Sequence, residues 1–468
     1  METRPVAALE AGELERFATM LRGELIRPAD AGYDAARRLH NAMIDRHPGA
    51  IARCAGVGDV LAAVDFARRN RLCVAVRGGG HNVTGNAICD DGLVIDLSRM
   101  KGLRIDPAQR TARAEPGLTW GELNHDLQAF GLGATGGYIS VTGVPGLTLG
   151  GGLGWLVRKY GLAMDNLLSA DVVTADGRFL TASPTEHPDL FWGIRGAGAN
   201  FGIATSFEFR VHPVGNVLAG PIIHPMTRGK DVLRLFRENV PRAPDDLTWG
   251  VIFFTGPETP EFPPALHGAQ LITPAVCWAG PIGDGEAFLK PIREFGPPIA
   301  DLVTVMPYSA AQRAADFLLP PGLRNYWKSN FLRDLDDKAI DVLVEHFARV
   351  PSPRTIMILD HNGGGAISRV GDAETAYGHR SWTYNLVVIS AWRDPADDDR
   401  NIAWLRGLWS DLQPSLANVV YVNYAGESGP EAIMQAYPSG VRERLVALKN
   451  QYDPDNFFRM NHNIRPTA

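Results

Sequence analysis

Leu72-Cys73-Val74-Ala75-Val76-Arg77-Gly78-Gly79-Gly80-His81-Asn82 runs an apolar stretch directly into three glycines and a histidine. A short apolar run bounded by glycine reads as a buried strand. Ahead of it, Ala50 to Cys54 reads as another strand, and Asp59 opens a helix with Val60, Leu61, Val64 and Ala67 on one face. The glycine loop therefore ends a β-α-β unit, where open α/β architectures place ligands. Leu93 to Leu97 supplies the next strand.

Two further glycine clusters follow. Thr119-x-x-Glu122 is a capping box for a helix that buries Trp120, Leu123, Leu127 and Phe130. After it comes Thr142-Gly143-Val144-Pro145-Gly146-Leu147-Thr148-Leu149-Gly150-Gly151-Gly152-Leu153-Gly154-Trp155, too rich in glycine to read as a plain helix or strand. The third, Arg195-Gly196-Ala197-Gly198-Ala199-Asn200-Phe201-Gly202, lies between a predicted hairpin turning at Asp176-Gly177 and an alternating strand, Phe201 to Arg210. Successive backbone N–H groups in such loops bind anions, so a diphosphate is the natural guest. No Gly-Lys-Ser/Thr follows any cluster, and none forms the dinucleotide fingerprint as a unit. Spacing alone gives a large phosphate-bearing ligand held at several loops, and leaves His81 either its neighbour or an ordinary capping residue.

The 468 residues favour two domains, and 45% hydrophobic with 21% charged residues is an ordinary globular composition. A net charge of −6 without a basic block argues against nucleic-acid binding. Four scattered cysteines suggest neither a disulfide framework nor a zinc site, and Asp397-Asp398-Asp399 reads as a solvated helix start, so no metal is expected. The acidic amino-terminal segment lacks a signal-peptide pattern, and no run reaches the roughly 20 apolar residues of a membrane span. The expectation is a cytoplasmic protein with no membrane partner.

After His212-Pro213-Val214-Gly215 the glycine loops give way to apolar strands (Leu247 to Phe254, Ala269 to Trp278, Thr383 to Trp392) and helices (Lys230 to Val240, Lys338 to Val350). This predicts an α+β protein. A cofactor domain over 1–214, with its core at about 47–214, precedes a substrate domain with an antiparallel sheet over 215–424 and a carboxy-terminal segment over 425–468.

The sequence resembles the berberine-bridge-enzyme-like FAD-linked oxidases of the wider vanillyl-alcohol-oxidase family. The likeness rests on Arg77 to Asn82, on Gly146 to Gly154, on Asp189-Leu190-Phe191-Trp192 with Arg195 to Gly202, and on the tail Tyr452-Asp453-Pro454-Asp455-Asn456-Phe457-Phe458. It implies a two-subdomain PCMH-type FAD-binding domain, an enzyme oxidising a small molecule, and O2 as electron acceptor; a homodimer is left open. FAD would lie against Arg77, Gly78, Gly79, Gly80, His81, Asn82 and Gly85, then Thr142, Gly143, Gly146, Gly150, Gly151, Gly152, Gly154 and Trp155. Gly198, Gly202 and Ile203 would follow its adenosine half, and Asn461 and Asn463, on a tail folded back, its ring system.

The resemblance also implies an 8α-histidyl bond to His81. Relatives with a second tether carry a cysteine upstream of Gly146; Gly137-Tyr138-Ile139-Ser140-Val141 has none, which leaves a single attachment. Amine-cyclising relatives carry a carboxylate at the strand equivalent to Leu386-Val387-Val388, absent here, so berberine-type ring closure is not expected. Candidates for the polar chemistry are His361, Tyr421 and Asn423, with strand-end core packing as the alternative for each. Tyr308, Tyr326, Trp327 and Tyr384 are candidates to shape the pocket. The substrate is an alcohol, a sugar or a specialised metabolite. An oxygenase, a dehydrogenase and a flavin-binding protein without turnover are the competing readings.

Overall fold

A computed structural model describes residues 3–259, 262–426 and 429–467. The stretch around the first glycine loop folds as its pattern predicts. Ala50–Arg53, Leu93–Asp96 and Val74–Arg77 are adjacent parallel strands, with Glu24–Ile26 antiparallel at the edge and the helix Val57–Arg69 making the crossover. These strands are apolar without alternation because both faces are covered: Ala50, Ile51, Ala52, Leu93, Val94 and Ile95 are all buried.

A second, antiparallel sheet runs Leu103–Asp106, Thr111–Ala114, Ile203–Arg210, Leu167–Val173, Phe179–Ala182. The Asp176-Gly177 hairpin is present, with Gly177 in the left-handed region at φ 83°. The capping box also forms: Glu122 N donates to Thr119 Oγ1 and Thr119 N to Glu122 Oε2.

One expectation is corrected. The second glycine cluster contains a helix, Val144–Gly150, with Pro145 in its first turn and its end at Gly151, where φ is 139°. Buried Val144, Thr148 and Leu149 anchor it, and this packing outweighs the poor helix propensity of its glycines.

His212–Pro213 pairs with Leu132–Gly133, and from Asn216 the chain enters a third sheet. Its antiparallel order is Ala300–Asp301, Asn216–Pro225, Gln270–Trp278, Leu247–Thr255, Ile356–His361, Tyr384–Trp392, Arg324–Leu332, with Thr304–Pro307 also paired to Asn216–Pro225. Helices Gly229–Asn239, Asp337–Phe347 and Asp398–Leu412 cover one face, where Val232, Phe236, Leu343 and Leu408 meet Trp249, Met357, Leu359, Leu386 and Val388. Side chains alternate along a strand, so Ile252, Ile356, Ile358, Val387 and Ile389 occupy the other face.

The carboxy-terminal tail returns to the glycine loops. Helix Ser439–Tyr452 buries Leu445, Leu448 and Tyr452 in the core of the second sheet. In its last turn, Lys449 Nζ donates to Asn200 O (2.8 Å), Phe458 O (2.9 Å) and Asp453 Oδ2 (2.6 Å) with no solvent exposure. No helix among the described residues is long and apolar enough to cross a membrane.

Candidate active site

The glycine loops and the uncovered face of the third sheet enclose a cavity of about 280 Å³. Its floor is bare backbone. The first and second loops touch so closely that a Cβ on Gly79 would stand 2.6 Å from Gly143 Cα, whereas nothing lies within 4 Å of a Cβ on Gly146 or Gly198. All four glycines line the cavity, so the loops are sealed against each other and open toward the void.

Several buried polar atoms beside this void lack a protein partner: Trp155 Nε1, Asn461 Oδ1 and His462 Nδ1. Buried polar atoms are normally hydrogen-bonded, so these are suited to a bound polar ligand. Glycine backbone for a diphosphate together with unpaired donors and acceptors from the returning tail fits FAD.

Of the residues expected to hold the cofactor, the cavity brings together Gly78, Gly79, Gly80, His81, Asn82, Thr142, Gly143, Gly146, Trp155, Gly198 and Asn461. The others stand behind it. Arg77 donates to Ala36 O and keeps an unpaired Nε, Gly85 O accepts from Arg46 Nη1 (3.1 Å), and Asn463 Oδ1 is buried without a partner. Gly202 abuts Val172 and Val173 just ahead of the strand that Ile203 begins opposite Val173. Gly150, Gly151, Gly152 and Gly154 admit close neighbours: a Cβ on Gly150 would meet Asn423 Oδ1 at 2.1 Å and one on Gly154 would meet Gly136 O at 1.5 Å.

His81 lines the cavity with His40, the ring centroids 4.3 Å apart. Burial, with a smaller contribution from His40, pushes its pKa down to about 3, against a hydrogen bond to the Val141 backbone. The imidazole is therefore neutral. His40 comes from the amino-terminal segment and is held by Gly80 O, which accepts from its N–H, and by its ring contact with Leu319 O (3.0 Å). No local pattern in the sequence marks it.

The roof is the apolar face Ile252, Ile356, Ile358, Val387 and Ile389, with Trp327 beside it. Asp360 follows Ile356 and Ile358 on the same face and is the one carboxylate lining the cavity among the described residues. It is 5% exposed, its Oδ2 has no partner, and burial raises its pKa to about 7. Tyr138 and Tyr424, also in the lining, are raised well above the usual phenol range by burial first and then by the Asp360 charge.

The next residue, His361, points to the helix-covered side. Its ring lies between Trp249 Nε1 (3.2 Å) and Arg158 Nη1 (2.9 Å), and burial pushes its pKa down to about 3. Arg158 also donates to Leu247 O and Ala243 O, each at 3.0 Å, fastening the glycine-loop region to the sheet. Tyr421 lies just outside the cavity: its hydroxyl accepts from Gly152 N (2.8 Å) and Asn423 Nδ2 (2.7 Å), and Asn423 itself reaches the lining. Trp327 is the one of the four aromatic pocket candidates that lines the cavity; Tyr308, Tyr326 and Tyr384 pack in or against hydrophobic clusters.

The sequence does not mark Asp360, because Ile356-Met357-Ile358-Leu359 is apolar on both faces and alternation does not reveal which residue of the Asp360-His361 pair faces the cavity. The partner strand resolves it: Asp360 pairs with Asn385 and Ile358 with Val387.

Residues 48–183 match the FAD binding domain family, and residues 420–465 match the berberine and berberine-like family. An FAD-linked oxidoreductase of Dictyostelium discoideum is 30% identical over 413 residues, covering 88% of this chain and 87% of that protein. The (R)-6-hydroxynicotine oxidase of Paenarthrobacter nicotinovorans is 30% identical over 461 residues, covering 95% and 97%. The crystal structure of 6-hydroxy-D-nicotine oxidase from Arthrobacter nicotinovorans superposes with a TM-score of 0.86 at 29% identity, covering 95% of this chain and 98% of that one. With the glycine cradle, the returning tail and the cavity between loops and sheet, these similarities make the chain a member of the berberine-bridge-enzyme-like family of FAD-linked oxidoreductases.

Proposed function

We propose that this FAD-dependent oxidoreductase is an O2-using oxidase of a largely apolar small molecule bearing one reactive O–H or N–H, with its flavin attached through His81 alone and Asp360 accepting the substrate proton. The observation that carries the reading is Asp360: a lone carboxylate in an apolar roof, with an unpartnered oxygen and a pKa near 7. A general base works best when its pKa lies near the operating pH. Bound FAD supplies a two-electron acceptor for the hydride leaving the substrate carbon.

The roof favours one substrate class. A sugar presents hydroxyls all round, and each one buried without a partner costs about 1–3 kcal/mol. Ile252, Ile356, Ile358, Val387 and Ile389 offer no such partners, whereas they and Trp327 suit an apolar or planar body. Tyr138 and Tyr424 flank Asp360 with neutral hydroxyls that can orient the reacting group.

His81 supports the tether. It is neutral, and the hydrogen bond to Val141 leaves the other ring nitrogen its lone pair, the form of imidazole that bonds to carbon. None of Cys54, Cys73, Cys89 and Cys277 lines the cavity, which supports one attachment. Tyr421 and His361 serve as positioning residues, the first at the Gly152 turn and the second behind Asp360. The similarity to a 6-hydroxynicotine oxidase supports O2 as final acceptor.

The test is anaerobic mixing of the purified flavoprotein with aryl alcohols, phenols and amines on one side and neutral oligosaccharides on the other. Bleaching of the flavin by members of the first group, followed by recovery of colour and peroxide on admitting air, is expected. Bleaching by the saccharides alone overturns the substrate class.

A further inference from the structure

Cys73 immediately precedes the strand that leads into the first glycine loop, and Cys89 lies just before its parallel partner, so the pairing of Val74 with Leu93 brings the two cysteines together. Each thiol is the largest single influence on the other's ionisation. Cys89 Sγ also lies 3.9 Å from Cys73 O and 3.9 Å from Leu93 O. Gly92 makes the room: a Cβ there would stand 2.8 Å from Cys89 Sγ and 3.0 Å from Cys73 Cβ.

The two thiols differ in the ways that peroxide chemistry uses. Cys73 is half-buried and influenced by the Arg459 and Arg46 guanidinium groups, whereas Cys89 is 2% exposed. The neighbouring Cys89 thiol, with help from the two guanidinium groups, lowers the Cys73 thiol to about 7 despite its burial. Cys54 and Cys277 have no such neighbours; burial pushes both up, Cys277 to about 12.

We propose that Cys73 and Cys89 form a peroxide-sensitive dithiol site whose disulfide closes a loop around the entire flavin-binding turn, Gly78 to Asn82. The Cys73 thiolate attacks hydrogen peroxide, giving a sulfenic acid and hydroxide, which takes up a proton as water. The Cys89 thiol then displaces water from that sulfenic acid, forming the S–S bond. The sum is two thiols and one peroxide converted to one disulfide and two waters. The site stands on these side chains and does not depend on the substrate reading. If the protein is an oxidase, its own product is the oxidant.

The test treats the intact flavoprotein with hydrogen peroxide, blocks remaining thiols under denaturing conditions, and maps the unreduced digest. Loss of two of the four thiols, a Cys73–Cys89 cross-linked peptide pair, and full recovery with dithiothreitol are expected. In Cys89→Ser, a sulfenic-acid probe labels Cys73 instead. Four intact thiols in the peroxide-treated wild type, or oxidation stopping at Cys73 with Cys89 still free, overturns the proposal, and this measurement needs no variant to fold.

Discussion

Asp360→Asn separates a buried base from a buried structural acid, because it moves activity and stability in opposite directions. Burial lifts the Asp360 carboxyl from 3.8 to about 7, which corresponds to about 4 kcal/mol against its charged form in the folded protein. Between those two values the folded state holds a proton that the unfolded chain has released, so this group's contribution to stability falls as pH rises through the window. Asparagine has nearly the same shape and no charge. The variant should match the wild type below about pH 4 and gain up to about 4 kcal/mol above the folded-state pKa, read as a higher urea midpoint at alkaline pH. Loss of the base should slow flavin reduction by about 10²–10⁴-fold and remove the acid limb of the pH profile, which in the wild type lies near the Asp360 pKa. Anaerobic stopped-flow across pH, with an active substrate in hand, measures both effects. A variant that keeps the wild-type rate and acid limb refutes the assignment of the base. An unchanged urea midpoint at alkaline pH refutes the electrostatic argument beneath it.

His81→Ala should bind flavin that separates from the polypeptide on denaturation, whereas the wild type keeps its colour; colour retained by the variant's chain would place the tether elsewhere. His361→Gln should lower stability by about 1–3 kcal/mol through its contacts with Arg158 and Trp249, and leave the pH profile of flavin reduction in place; loss of the acid limb would bring His361 into the reaction. Lys449→Met breaks a fully buried pair with Asp453 and should cost about 3–5 kcal/mol in urea unfolding, with faster flavin loss in the His81→Ala background because Asn461 and His462 lose their anchorage.

The glycine floor of the cavity is largely legible in the sequence because glycine reports backbone requirements directly. Gly78 to His81, Gly143, Gly146 and Gly198 all line the cavity, each within a glycine cluster visible in the sequence. The glycines that stand behind it, Gly150 to Gly154, are equally conspicuous in sequence, yet their conformations serve the approach of Tyr421, Asn423 and Gly136. A glycine announces a tight place without saying whether a ligand or another chain segment fills it. The sheet side is less legible. Asp360 and His361 are adjacent, and histidine is the more familiar proton carrier. The direction each faces depends on pairing with Leu247–Thr255 and Tyr384–Trp392, strands far away in sequence. His40 is further from recognition still, since its place beside His81 is made entirely by tertiary contacts.

The roof strands alternate between two constituencies. Positions 356, 358, 387 and 389 answer to whatever molecule enters the cavity, while 357, 359, 386 and 388 answer to the helices behind. Changes at the first set can reshape the cavity one side chain at a time, leaving the helix packing and the glycine floor untouched. Such a sheet works as an exchangeable faceplate: one set of side chains can vary with the contents of the cavity while the other keeps the helices in place.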